Sequence, residues 1–197
     1  MLCFFIGHRD AESGLMSKIE AAVHRHITEY GVTEFIVGQY GAFDRMAARA
    51  VINAKRHYPN ITLSILLPYH PSKRSVNAPD GYDDTFYPPD MEKVPRKLTI
   101  VRANKYMVDS SDFLIDYVWH PASNARNLLE YAQARERKGL IRIENLAASN
   151  PHSNLYPLCT RKMLRRIKTA PISAKMLRAS PRQIHPRTPA PNGPKAQ

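Results

Sequence analysis

The chain opens with a continuous apolar run that ends at a glycine, LCFFIG at residues 2–7. Its side chains do not alternate between apolar and polar, as they do in a strand that has one face in water. A continuous run of this length is typical of a strand that is covered on both faces, as in a parallel sheet. The run therefore predicts the first strand of an α/β domain.

Strand-like and helix-like segments alternate outward from this first strand. The strands are predicted at 2–6, 35–37, 61–67, 113–119 and 140–143, and the helices at 15–30, 43–54, 94–111 and 124–138. Strands that alternate with helices indicate parallel pairing with right-handed crossovers. We therefore predict a Rossmann-like three-layer sandwich with a mostly parallel five-stranded sheet.

One long segment, residues 70–93, breaks this rhythm. It holds four prolines and Gly81 among acidic and aromatic residues. Segments of this length without a periodic pattern are often lids over a functional site. The sequence predicts a long ordered loop or an insertion here.

Most of the positive charge of this 197-residue chain lies in its C-terminal quarter. The whole chain has 29 lysines and arginines against 17 acids, which gives a formal net charge of +12. Ten of the basic residues, and none of the acids, lie in residues 151–197, together with eight of the 16 prolines. This composition predicts a Rossmann-like domain at 1–147 and a basic, proline-rich tail at 148–197 that is largely disordered.

Cysteine usage and hydropathy indicate a cytoplasmic protein. The two cysteines, Cys3 and Cys159, do not form a disulfide framework of the kind that secreted domains carry. The first apolar run is too short for a signal peptide, and no run approaches the ~18 apolar residues of a membrane span. The eight histidines show no metal-ligand spacing, so no metal site is predicted.

The loops that follow the strands are the candidate site, because ligands of open parallel sheets bind at the carboxyl ends of the strands. After the first strand come Gly7, His8 and Arg9. Gly7 permits a close approach of the backbone, and Arg9 can form a fork with a phosphate or a carboxylate. A tight turn with a solvated arginine is the alternative.

The loop after the second strand carries two glycines directly before a helix. Its residues are Gly38, Gln39, Tyr40 and Gly41, with Asp44 in the first turn of the helix. Free N–H groups and the helix dipole at such a position attract anions, so the loop predicts phosphate binding. The alternative is a structural turn in which Asp44 caps the helix.

The loop after the fourth strand has polar residues but no glycine. Ser123 and Asn124 can cap the next helix or meet a ligand with their side chains. His120 is a ligand-binding or proton-transfer group, or it is neither, as is more common for a histidine alone in a loop.

Four motifs together resemble a known family. They are Phe5-Ile6-Gly7-His8-Arg9, Gly38-x-x-Gly41-x-x-Asp44-x-x-Ala47, Leu67-Pro68-Tyr69 and Arg102-x-Asn104-x-x-Met107-Val108-Asp109-x-x-Asp112. In order and spacing they resemble YpsA-type proteins of the SLOG superfamily, which includes the DprA and LOG families, over residues 2–146. The resemblance implies a Rossmann-like sheet that binds a nucleotide or a nucleotide-derived ligand. It also implies that the pocket is lined or supported by Gly7, Arg9, Gly38, Gly41, Asp44, Arg102 and Asn104.

The sequence departs from the family in one loop. Similar proteins carry a glycine pair after the fourth strand, where this chain reads Pro121-Ala122-Ser123-Asn124. Each glycine that is replaced adds a Cβ atom where a phosphate would approach the backbone. The glycine-rich motif with a nearby catalytic glutamate of the LOG enzymes is also absent, so the sequence does not predict phosphoribohydrolase activity.

Three functions stay open on these grounds. The first is binding of a nucleotide-derived ligand, such as NAD or ADP-ribose, in a sensing or regulatory role. The second is an enzyme that acts on an N-glycosidic or phosphate bond, with acid–base groups drawn from Asp10, Asp44, His120 and Glu130. The third is binding of DNA or RNA through residues 151–197, against the alternative of a solvated extension. The oligomeric state is open, and no cofactor other than such a nucleotide is predicted.

Overall fold

The structure, a computed structural model, describes residues 1–70, 78–120 and 122–147. The predicted tail at 148–197 lies outside the described residues. The predicted α/β class is confirmed, because one parallel sheet carries helices on both of its faces. None of the helices within the described ranges is long and apolar enough to cross a membrane.

A single parallel sheet forms the middle layer. Its strands are β1 (Leu2–Gly7), β2 (Glu34–Val37), β3 (Thr62–Leu66), β4 (Asp84–Phe86), β5 (Phe113–Tyr117) and β6 (Arg142–Asn145). They lie in the order β4-β3-β2-β1-β5-β6, and every neighbouring pair is parallel. The chain thus builds the sheet outward from β1 in one direction and then, starting with β5, in the other. The switch point lies between β1 and β5, because the helices that follow these two strands, α1 and α4, lie on opposite faces of the sheet. In open α/β sheets the crevice that binds ligands lies at this position.

The two faces of the sheet bury two separate apolar cores. Helices α1 (Met16–Tyr30) and α2 (Ala42–Lys55) cover one face, and α3 (Thr99–Ser110) and α4 (Asn124–Glu136) cover the other. Cys3 and Phe5 of β1 lie in the first core, whereas Phe4 and Ile6 lie in the second. Successive side chains of a strand point to opposite faces, so each of these four positions is buried. This explains why β1 is apolar throughout.

The sheet has six strands rather than the predicted five. Residues Asp84–Phe86, inside the segment predicted as a loop or an insertion, form β4 and pair with Ser64–Leu66 of β3. Three residues are too few to show a periodic pattern, so the sequence alone does not reveal this strand. Residues 84–86 form a strand because β3 supplies hydrogen-bond partners for their backbone.

The helix predicted at 94–111 is shorter in the structure, where α3 begins at Thr99. Short 3-10 turns at Met91–Lys93 and Arg96–Leu98 precede it. Pro95 lies between these turns with a ψ of 135°, an extended conformation that interrupts a helix. The end of α1 agrees with the prediction, because Gly31 takes a φ of 68° and its N–H donates to the carbonyl of Ile27.

Candidate ligand-binding site

The carboxyl ends of β1 and β5 bring two predicted loops together. The strands pair in register up to their last residues, with Ile6 opposite Asp116 and Gly7 opposite Tyr117. The loop after β1 and the loop after β5 therefore leave the sheet side by side at the switch point. In open parallel sheets this is the position at which ligands bind.

His8 joins the two loops through its side chain. The backbone N–H groups of Trp119 and His120 both donate to Nε2 of His8, at 3.2 and 3.0 Å. The imidazole of His8 meets the Trp119 ring edge-on at a centroid distance of 5.4 Å, and the His120 ring lies 5.6 Å from that of Trp119. The three rings form an aromatic cluster in which Trp119 stays 57% exposed.

The contacts of His8 define its protonation state. A nitrogen that accepts hydrogen bonds carries no proton, so the proton of neutral His8 sits on Nδ1. Burial lowers the pKa of His8 from its ordinary value, and the charge of His120 lowers it further, whereas Asp10 raises it. His8 is therefore in its neutral form at neutral pH.

Further hydrogen bonds within the loop after β5 stabilise its described residues and the start of α4. The Ala122 N–H donates to Nδ1 of His120 at 3.2 Å, and the Ser123 hydroxyl donates to the His120 carbonyl at 3.3 Å. Ser123 is the N-cap of α4, because its Oγ accepts the N–H of Arg126 at 3.1 Å. Of the roles predicted for Ser123, helix capping is thus seen directly, while Asn124 is exposed in the first turn.

The loop after β2 uses several of its amide groups internally. The Asp44 carboxylate accepts the N–H of Tyr40 at 3.0 Å, and the N–H of Ala42 donates to the carbonyl of Arg9 at 2.8 Å. Burial raises the pKa of Asp44, while the N–H groups of Tyr40 and Gly41 oppose this effect. Two amides of the loop that was predicted to hold a phosphate, those of Tyr40 and Ala42, are therefore bonded within the chain.

At three glycines of the predicted site, neighbouring atoms lie too close to leave room for a side chain. A Cβ atom on Gly7 would lie 2.2 Å from the ring of Phe43, and one on Gly38 would lie 2.7 Å from the Asp44 carboxylate. A Cβ atom on Gly41 would lie 3.2 Å from the backbone of the loop after β1. The absence of side chains lets the loops after β1 and β2 pack against each other and against α2.

The remaining predicted residues are the polar groups Arg9, Arg102 and Asn104. Arg9 is exposed in the loop after β1, and its side chain makes no ion pair with the residues that the structure describes. Arg102 is exposed and Asn104 is half-buried on α3. Among the described residues, no hydrogen bond or ion pair links either of them to the loops after β1, β2 and β5. Their assignment to the pocket rests on the motif resemblance alone.

Comparison with known proteins reveals a likeness in fold. No protein-family model and no curated protein sequence matches the chain. Four chains of solved structures match, and one belongs to a study of the single-stranded DNA-binding mode of DNA processing protein A from Helicobacter pylori. It is 15% identical with a TM-score of 0.45, over 73% of this chain and 74% of that chain. DNA processing protein A is also called DprA.

Two residues of interest at this edge were missed by sequence reasoning. Trp119 is the only tryptophan of the chain and lies two residues after the end of β5, and that position is the signal that would have marked it. Asp116, an acid inside the apolar strand FLIDY, is fully buried at 0% exposure, and neither carboxylate oxygen has a hydrogen-bond partner within the described part of the chain.

Burial raises the pKa of Asp116 to about 7. The nearby N–H of Val118 and the charge of Arg126 oppose this effect, and the charge of Glu136 adds to it. Asp116 shares its face of β5 with Leu114 and so points towards α3 and α4. Within the described residues, no three His, Cys, Asp or Glu side chains come together at a spacing that suits a metal ion.

Proposed function

We propose that the crevice between the loops after β1 and β5 binds a nucleotide-type ligand, a planar base joined to an anionic phosphate, in a recognition role. One observation carries the proposal. At the switch point the two loops are hydrogen-bonded to each other, and they present an exposed Trp119 ring and the exposed Arg9 side chain. Aromatic rings stack on bases, and a guanidinium forms a fork with phosphate.

The phosphate is expected on Arg9 rather than on the glycine loop after β2. The N–H groups of Tyr40 and Ala42 already have acceptors within the chain. Arg9 makes no ion pair with the described residues, so its donors are available to an anion. A charge-assisted hydrogen bond to a phosphate contributes about 1.5–3 kcal/mol.

The internal bonds of the candidate acid–base groups favour recognition over turnover. Asp44 accepts the Tyr40 amide, Nδ1 of His120 accepts the Ala122 amide, and Glu130 pairs with Arg126 at 3.0 Å. Asp10 is the remaining group of the four. The enzymatic alternative predicts that free base appears when the protein is incubated with a nucleoside monophosphate or with NAD.

The proposal is tested by calorimetric titration and thermal unfolding with AMP, NAD, ADP-ribose and a short single-stranded oligonucleotide. A ligand at 100 times its Kd is expected to stabilise the domain by about 2.7 kcal/mol. Arg9→Gln is expected to weaken binding about tenfold. Arg49→Gln removes an exposed arginine on the outer face of α2 and serves as the matched control. A folded protein that binds none of these ligands would contradict the proposal.

A second candidate function is nucleic-acid binding through residues 151–197. It is favoured by the ten basic residues and the absence of acids in this segment. Replacing Arg161, Lys162, Arg165 and Arg166 by Gln in the full chain is expected to weaken binding of a single-stranded oligonucleotide and to flatten its dependence on salt. An unchanged salt dependence would assign the binding to another part of the protein.

A further inference from the structure

We propose that His8 is a positioning residue of this site. Its neutral imidazole accepts the backbone amides of Trp119 and His120. It thereby holds the Trp119 ring in the position where a nucleobase stacks. The proposal rests on the proposed function, because it concerns the same crevice. It adds how the Trp119 ring is held in place, and it makes base binding conditional on the protonation state of one residue.

One nitrogen of His8 accepts two hydrogen bonds from the other loop. Two successive amides, of Trp119 and His120, converge on the single nitrogen Nε2 of His8 at 3.2 and 3.0 Å. The residues are more than 110 positions apart in the chain, so this contact ties two separate loops. An imidazolium carries hydrogen on both nitrogens and cannot accept. Protonation of His8 therefore removes both hydrogen bonds at once and places a third N–H against the two donors.

The indole of Trp119 is held in one orientation by its backbone and by two neighbouring rings. The backbone of Trp119 is fixed through its amide, and its ring is held edge-on by the imidazoles of His8 and His120 at 5.4 and 5.6 Å. More than half of the Trp119 side chain stays open to solvent. A rigid, exposed aromatic ring is suited to stacking on a base at a low cost in conformational entropy. Release of the loop by His8 removes this rigidity.

Titratable groups from two loops act on the charge of His8. His120, from the loop after β5, disfavours the charged form, and Asp10, from the same loop as His8, favours it. The loop after β2 approaches the backbone of His8 at Gly41, and its acid, Asp44, is bonded to its own loop. Burial lowers the pKa of His8 from the ordinary value. The two hydrogen bonds from the Trp119 and His120 amides to His8 are therefore present at neutral pH. They are lost when the pH falls below the ordinary pKa of histidine and His8 takes up a second proton.

The test measures NAD binding by calorimetry and by Trp119 fluorescence, from about pH 7.5 to about pH 5. NAD is chosen because its two phosphates form a pyrophosphate that is esterified at both ends, without the second ionisation near pH 6 of a phosphate monoester. Trp119 is the only tryptophan, so a fluorescence change on binding reports on this ring. We expect NAD affinity and the Trp119 fluorescence change to decline together as the pH falls.

Three histidine variants separate positioning from a general effect on the fold. His8→Leu removes the acceptor and is expected to weaken binding about tenfold at neutral pH. His8→Gln keeps an oxygen that can accept the two amides but does not titrate, so binding is expected to persist at neutral pH and to lose most of its decline in acid. His24→Gln replaces an exposed histidine on α1 and is expected to behave as the natural protein does.

Other results of the same titrations would overturn the role of His8 or the proposed function. Binding that declines equally in His8→Gln and in the natural protein, or that survives His8→Leu, overturns the role of His8. Affinity that rises in acid also overturns it, because the amides of Trp119 and His120 would then be an anion site that His8 blocks. Binding seen by calorimetry without a change in Trp119 fluorescence removes this inference, and Arg9→Gln then tests separately whether the ligand lies in the proposed site. The absence of calorimetric binding by the natural protein at neutral pH removes both.

Discussion

The Nζ atom of Lys55 lies 2.6 Å from Oδ1 of Asp83. The other oxygen of the same carboxylate accepts the N–H of Leu63 at 2.7 Å, and Lys55 also donates to the carbonyl of Gly81 at 3.1 Å. The end of α2, the strand β3 and the residue before β4 thus meet at one carboxylate. Because β4 has only three residues, we infer that this carboxylate holds the edge strand on the sheet.

Asp83→Ala is expected to loosen β4. The change leaves the Leu63 amide and the Lys55 ammonium without their acceptor, at a cost of about 1–2 kcal/mol in the free energy of unfolding. Hydrogen exchange at the amides of residues 84–86 should accelerate. Asp80→Ala changes an exposed acid in the same segment and serves as the control. Equal exchange rates in the two variants would show that the ladder with β3 holds the strand without the carboxylate.

The same pair has a defined pH dependence. Burial acts to raise the pKa of Asp83, but the hydrogen bonds from Lys55 and Leu63 and the Lys55 charge outweigh it, so the pKa lies below the ordinary value of 3.8. A carboxyl with a lowered pKa in the folded state stabilises the protein above its ordinary pKa and loses that contribution as the pH falls. The difference in stability between the natural protein and Asp83→Ala should therefore shrink below about pH 4. A difference that is constant with pH would contradict this.

Gly7→Ala is expected to destabilise the domain by about 3 kcal/mol, because the new Cβ atom would lie 2.2 Å from the buried Phe43 ring. Gly14→Ala is the matched control, since nothing lies within 4 Å of its added Cβ atom. Thermal unfolding of the two variants should show a large loss in the midpoint for the first and almost none for the second. A comparable midpoint for both would mean that Phe43 moves freely and that Gly7 is kept for another reason.

Asp44 is expected to act through the loop rather than on a ligand. Asp44→Asn keeps an oxygen that can accept the Tyr40 amide, so both stability and ligand binding should be preserved. Asp44→Ala removes the acceptor and should cost about 1 kcal/mol, as for the loss of a helix cap. Chemical denaturation and calorimetry on both variants check this. Loss of binding in Asp44→Asn at unchanged stability would instead make the Asp44 charge part of the ligand site.

Asp116→Asn is expected to stabilise the protein at neutral and alkaline pH. Burial raises the pKa of Asp116 from 3.8 to about 7, so the folded state binds a proton more tightly than the unfolded state does. The stability of the natural protein should therefore fall as the pH rises between these values, by on the order of 4 kcal/mol. An asparagine side chain removes this dependence.

The measurement is the free energy of unfolding of the natural protein and Asp116→Asn at several pH values between 4 and 8. Glu12→Gln, which neutralises an exposed acid, is the control and should follow the natural protein. Parallel curves for the natural protein and Asp116→Asn would show that Asp116 stays charged, with a hydrogen-bond partner that forms in solution.

The sequence by itself determined the α/β class and the loops in which a site is predicted. The unbroken apolar run of β1 requires cover on both faces, and the alternation of strands with helices requires parallel pairing. These are local properties of the chain, so periodicity reveals them. The same periodicity located the loops after β1, β2 and β5, and hence the edge of the sheet at which a ligand is expected.

Only the tertiary structure decided what those loops do with their polar groups. The pairing of β4 with β3, the bonds of Asp44 to its own loop and the contact of His8 with Trp119 join residues that no local pattern connects. The burial of Asp116 likewise depends on the helices that cover β5. A residue type sets which hydrogen bonds are possible, but the packing of distant segments sets which acceptor each donor meets, and for that reason the fold was predictable and the chemistry of its edge was not.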